Sequence, residues 1–213
     1  MTTLPPDQIL FKFRRGPEVF TLYTDSKLHR LFRDLYTEFP NLRIRAKADC
    51  WWHRMAHYII VALTLGQNKL YLENMTTTRP DNIALSGKHW KRLHGGSRED
   101  HDRVWETIMH ERRHLRDFQE LGSCIMVLLW LIPPIFVCWG RAAVIEKPGY
   151  LVSLQCKFEN NRAWAEGPEY REWWINCFTG PAYGWMYTPF RKSVASWFDA
   201  ELLRLQQEAA SGS

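Results

Sequence analysis

No two cysteines in this 213-residue chain have the spacing of a thiolate metal site or a redox motif. The five present (Cys50, Cys124, Cys138, Cys156, Cys177) are scattered and odd in number. A disulfide framework and a cysteine-rich zinc site are thereby excluded, and reduced, mostly buried thiols are expected. A basic run is lacking as well. The formal net charge is +5, but Lys and Arg are spread along the chain without a recognition motif, so a nucleic-acid partner is not indicated. There is no Gly-x-x-x-x-Gly-Lys-Ser/Thr loop for nucleotide phosphates and no Gly-x-Ser-x-Gly elbow for a serine nucleophile. The opening residues, "MTTLPPDQILFKFRRG", have neither the basic nor the apolar stretch of a secretory leader, which implies a cytoplasmic protein. An uninterrupted apolar run of membrane length is also missing. The nearest, Cys124 to Trp139, has sixteen uncharged residues against the roughly 20 a spanning helix needs, and Pro133-Pro134 divides it. It reads as a buried helix followed by an extended turn, with membrane contact through 124–139 as the alternative.

What is present fits one globular domain: 46% hydrophobic residues and 24% charged ones. Eleven tryptophans imply a large aromatic core. No interdomain linker or repeat is visible. Residues 1–41 read as an N-terminal extension packed on the domain, and 209–213 as a disordered tail.

Apolar periodicity sets out the elements. Gln8 to Leu22 is short and β-like. From Asp25 to Phe39, residues Leu28, Leu31, Phe32, Leu35, Tyr36 and Phe39 recur at helical spacing, with Asp25 or Ser26 as cap and Pro40 beyond the end. "LRIRAKA" alternates as a half-buried strand does, and "DCWWHRMAHYIIVALTLG" returns to helical length before Gly66. "NKLYLENMTTT" and "NIALS" read as a strand pair turned at Arg79-Pro80-Asp81. Ser97 followed by Asp100 resembles a capping box, and neither proline nor glycine interrupts Arg98 to Leu121 before Gly122. Helices are also predicted over Arg141 to Lys157, Glu169 to Phe178 and "PFRKSVASWFDAELLRLQQEA". The sum is an α+β fold, mainly helical, with a small mixed sheet preceding a central helix.

That central helix carries "HERRH". Residues four apart on a helix share a face, so His110 and His114 can aim ring nitrogens at one point. Neutral imidazoles suit zinc, which in catalytic sites takes three protein ligands and a water, and Glu111 then stands beside that water as its general base. The pattern is the His-Glu-x-x-His of zinc metallopeptidases. Read as a merely charged helix, Glu106, Glu111, Arg112, Arg113, Arg116 and Glu120 form ion pairs and leave the histidines in solvent. The adjoining apolar residues Trp105, Ile108, Met109, Leu115 and Phe118 favour the metal reading. Asp117 is placed either to orient a ligand histidine or to ion-pair at the surface. Spacing does not fix the third ligand. Asp117 and Glu120 occupy the positions of the extended metzincin pattern and exclude it, leaving Glu146, Glu159, Glu166, Glu169 and Glu172 as candidate carboxylates. His53 and His57 repeat the spacing, but Arg54 stands where the base would be, so they read as an ordinary helix face.

The stretches "MHERRHLRDF", "VLLWLIPPIFVCW" and "GRAAVIEKPGY" together resemble a group of bacterial and phage zincin-like proteins of the gluzincin type. "LTLGQNKLYLENMTTT" and "GPAYGWMYTPFRKSVASWF" extend the likeness over most of Leu42 to Phe198. The resemblance implies a zincin-like fold, with Glu146 as third ligand and Tyr150 at the group's tyrosine. It departs at Pro148-Gly149 and in an extra residue between Arg141 and Glu146, and "RAWAEGPEY" is a second partial match that keeps Glu166 as a rival.

The expected activity is zinc-dependent hydrolysis of a peptide or protein substrate. His110, His114 and Glu146 hold Zn2+, Glu111 activates water, and a phenol of Tyr150, Tyr183 or Tyr187 faces the oxyanion. The strand pair ahead of the helix would take the substrate as an added strand. One competing reading is a non-catalytic zinc protein in a phage particle, hence virion-associated, or in a secretion-like assembly. Glu111 argues against it, because a structural site needs no base and tends to close with a fourth protein ligand. Another is a protease held at a membrane by 124–139.

Overall fold

The structure, a computed structural model, describes residues 4–14, 18–63, 66, 69–126, 141–180 and 188–211. The chain divides into two compact units, Met1–Gln119 and Glu120–Ser213.

In the first unit, β1 (Gln8–Lys12) and β2 (Val19–Tyr23) pair antiparallel with Phe11 opposite Phe20. Helix α1 (Lys27–Glu38) follows. Of its two possible caps Ser26 serves, accepting from the His29 amide at 3.1 Å, while Asp25 takes a bond from Arg98. Leu28, Leu31, Phe32, Leu35 and Tyr36 are all buried, as their spacing predicts. They close over the hairpin, where Phe11, Phe13, Phe20 and Phe32 pack with ring centroids 4.7 to 6.3 Å apart. Each such ring removed from water contributes about 2–3 kcal/mol. Residues 1–41 thus supply a large part of this unit's core.

A second sheet has the order β3-β5-β4: β3 (Arg43–Ala46) is parallel to β5 (Asn82–Leu85), and β4 (Thr77–Arg79) is antiparallel to β5. Parallel neighbours need a crossover, and here it contains a 3-10 turn (Lys47–Asp49), α2 (Trp51–Leu63) and α3 (Tyr71–Asn74). Two details depart from the sequence pattern. Tyr71–Asn74 is helical, so only the end of "NKLYLENMTTT" is strand, although the Pro80-Asp81 turn lies as predicted. Lys47, which the alternation of "LRIRAKA" puts in solvent, begins the 3-10 turn and is fully buried. The two departures meet in one tertiary contact, where the Lys47 ammonium sits 3.5 Å from the centroid of the Tyr71 ring.

Helix α4 (Gly87–Gly95) ends at Gly96 with φ +72°, and α5 (Arg98–Leu121) begins at once. At its start the Asp100 amide donates to Ser97 Oγ at 3.1 Å and the Ser97 hydroxyl donates to Asp100 Oδ2 at 2.8 Å. At its end Gly122 adopts φ +79°, the left-handed stop that glycine favours. Val104, Trp105, Ile108 and Leu115 form its buried stripe.

In the second unit, a π-helical turn (Arg141–Glu146) leads into α6 (Lys147–Asn160). Pro148 falls where the π-helical turn passes into α6, and the predicted helix continues through Pro148-Gly149. There follow α7 (Arg162–Ala165), α8 (Pro168–Thr179), a 3-10 turn (Thr188–Phe190) and α9 (Arg191–Ser211). Leu154, Trp174, Phe178, Val194 and Phe198 are central to the core. Helix α9 continues through Ser211, into the stretch read as tail. The fold is α+β and mainly helical. Among the described residues no helix is long and apolar enough to cross a membrane. The apolar segment is described only as far as Met126, so most of the 124–139 reading lies outside the described residues.

Candidate metal centre

At 100° per residue, α5 carries His110, His114 and Asp117 along one side, Glu111 and Leu115 on the next, and Arg112 and Arg116 behind. The Nε2 atoms of His110 and His114 lie 3.0 Å apart. Two nitrogens bound at 2.0–2.1 Å to a tetrahedral ion stand about 3.3 Å apart, so the pair is spaced for a shared metal with a few tenths of an ångström of adjustment. Asp117 is 1% exposed, with Oδ2 3.3 Å from His114 Nδ1 and Oδ1 2.8 Å from Arg113 Nη2. It therefore faces a histidine and pairs with an arginine as a buried group, and is not the surface ion-pairing aspartate of the alternative reading. A proton held on Nδ1 by Asp117 leaves the Nε2 lone pair for a cation.

Glu111 is 6% exposed, and the adjoining sheet explains how it is held. Paired residues share a face, so Thr78 points the same way as its partner Ile83 and as Ile44, both buried. On that face the Thr78 hydroxyl donates to Glu111 Oε2 at 2.6 Å. Thr77 points the other way and accepts from Lys47 Nζ at 2.6 Å, while Met75 O accepts from the same amine at 2.8 Å. Burial pulls the Lys47 amine down to about 7, opposed chiefly by the negative charge of Glu111.

The rear of α5 is clamped. Glu38 of α1 accepts from Arg112 Nε at 2.8 Å and Arg116 Nε at 2.6 Å. Burial pushes the Glu38 carboxyl up, but its bonds to Arg116 and Arg112 outweigh this and hold it below the usual carboxylate range. The arginines of "HERRH" are thus engaged, but not in a way that leaves both histidines in solvent: His114 is buried and His110 half-buried. His53, read as part of an ordinary helix face, lies on α2. It is fully buried, with Nδ1 3.0 Å from the Tyr71 hydroxyl.

Within the second unit, Glu146 closes the π-helical turn and is 3% exposed, whereas Glu159, Glu166, Glu169 and Glu172 are exposed. Glu166 is occupied by Arg162 at 3.0 Å and Gln206 at 2.9 Å. Tyr150 is one turn beyond Glu146, its ring against Trp174 and Phe178. Burial drives the neighbouring Cys177 thiol up to about 12, with the Tyr150 hydroxyl hydrogen-bonding it and the Glu146 charge adding to the rise. Tyr183 and Tyr187 lie outside the described residues. The first unit thus brings together His110, Glu111, His114 and Asp117, and the second carries Glu146 beside Tyr150 in sequence. Thr78 and Lys47 escape sequence reasoning, since nothing local marks a bond across 33 positions.

Two converging imidazoles, one facing a buried carboxylate, form a donor set that could take a metal ion. In comparison with known proteins, the chain matches no family model, no curated protein and no solved structure.

Proposed function

We propose that the protein is a zinc-dependent metallopeptidase of zincin-like fold, in which His110, His114 and Glu146 hold the ion. The observation that carries the reading is the His110–His114 pair, with Nε2 atoms 3.0 Å apart, Asp117 behind His114, and a buried Glu111 between them in sequence. A solvated ion-pair helix needs none of these. Glu146 is preferred as third ligand because it is the buried member of five candidate glutamates.

A zinc ion, when bound, supplies Lewis acidity toward water and a substrate carbonyl. Glu111 takes a proton from the attacking water as the new C–O bond forms, and delivers it to the amine as the C–N bond breaks. Asp117 keeps the His114 proton on Nδ1 throughout. Tyr150, the one of the three candidate phenols that lies among the described residues, is assigned as oxyanion donor, a role for which it must give up its bond to Cys177, and Tyr183 is the second candidate. With this reading go a peptide or protein substrate and no nucleic acid.

Elemental mass spectrometry on purified variants tests it. Wild type, Glu111→Gln and Glu166→Ala retain zinc, His110→Ala and Glu146→Ala lose it, and Glu111→Gln has no peptidase activity. A folded wild type that takes up no zinc when it is supplied refutes the proposal.

A further inference from the structure

We infer that Thr78, on the three-residue strand β4, is a positioning residue for the base Glu111, and that Lys47 keeps that strand in the register this requires. The inference rests on the metallopeptidase reading above.

At 2.6 Å, the bond from the Thr78 hydroxyl to Glu111 Oε2 has the length of a charge-assisted O–H···O⁻ contact. Such a bond restricts a carboxylate to one orientation, which a general base needs if it is to meet its proton in line. The orientation is only as secure as the strand. β4 has three residues, pairs among the described residues with β5 alone, and lies at the end of the sheet order. A slip of one residue would turn Thr78 to the opposite face and replace it with a neighbour facing Glu111.

Lys47 prevents that slip. Its ammonium donates to Thr77 Oγ1 at 2.6 Å and to Met75 O at 2.8 Å, holding both the far face of the strand and the chain that leads into it. Successive threonines are therefore held from opposite sides, one by a buried amine and one through the carboxylate it orients. Packing alone would not select these residues. A fully buried lysine and a hydroxyl–carboxylate pair both carry desolvation costs, whereas a valine at position 78 would pack against Ile83 and suit a strand better.

Cobalt(II) substitution tests this without needing a substrate, because its visible spectrum responds to the surroundings of the metal. Wild type, Thr78→Ser, Thr78→Val and Glu111→Gln are loaded with cobalt and compared at matched stoichiometry, with thermal unfolding alongside. Thr78→Ser is expected to keep the wild-type spectrum. Thr78→Val is expected to bind cobalt fully yet show bands shifted in the same direction as Glu111→Gln. A wild-type spectrum in fully loaded Thr78→Val overturns the inference, as does a Thr78→Ser spectrum no closer to wild type than that of Thr78→Val. Should Thr78→Val not fold, Thr78→Ala removes the hydroxyl without adding bulk and is judged by the same criteria. Failure of wild type to bind cobalt is a different result: it overturns the metal reading, and the inference with it.

Discussion

Lowering the pH from 7 to 5 is predicted to cost the first unit about 2 kcal/mol through His53 alone. The imidazole is fully buried on α2, and its Nε2 has no hydrogen-bond partner among the described residues. Burial first, then the charges of Lys47, Arg45 and Arg79, hold the ring neutral and pull its value from 6.5 to about 3. Between those two values the unfolded chain binds a proton that the folded chain refuses. Stability is therefore complete above pH 6.5 and drains away as the pH falls toward 3. Each pH unit in that window costs about 1.4 kcal/mol, so pH 5 costs about 2 kcal/mol, a sizeable part of a total on the order of 5–15 kcal/mol. Urea unfolding of wild type and His53→Leu at both pH values isolates the effect. Leucine fills similar volume and loses the Tyr71 bond at either pH. His89, pulled down to about 4 chiefly by burial, and His101 act in both proteins alike. Wild type should lose about 2 kcal/mol more than the variant between pH 7 and pH 5. Equal losses would refute the account of His53 as a neutral, buried ring.

Two further predictions concern stability. Ser97→Ala removes the oxygen that accepts from the Asp100 amide and should cost about 1 kcal/mol, read as a lowered urea midpoint at unchanged slope. Phe178→Ala opens a cavity beside Trp174 and Trp197 and should cost about 3–5 kcal/mol; a loss below about 1 kcal/mol would mean that the second unit's core lies elsewhere.

What the sequence made legible was local. The apolar spacing of α1, the Ser97–Asp100 start and Gly122 stop of α5, and the pairing of His110 with His114 all depend on residues a turn or so apart, and each is found as read. Interactions across long separations were not legible. Lys47 looks like any basic residue on an alternating strand until Met75, Thr77 and Tyr71 are folded around it. Spacing does not choose among the five glutamates that compete as third ligand, and burial, a property of the folded chain, separates Glu146 from the rest. Asp117 could not be told from a surface aspartate in the sequence, because its burial between His114 and Arg113 is likewise a property of the fold.

The Glu38 clamp behind α5 gives that helix the character of an axle with a locking pin. An Nε2 atom about 6 Å from the helix axis moves about 1 Å for every 10° that the helix turns, which is enough to spoil a coordination angle. Arg112 and Arg116 alternate with the histidines along the chain and end on one carboxylate of α1, so torque on α5 is resisted from the side away from His110 and His114. Damage at Glu38 would reach the histidines as a change of aim, with every ligand still in place.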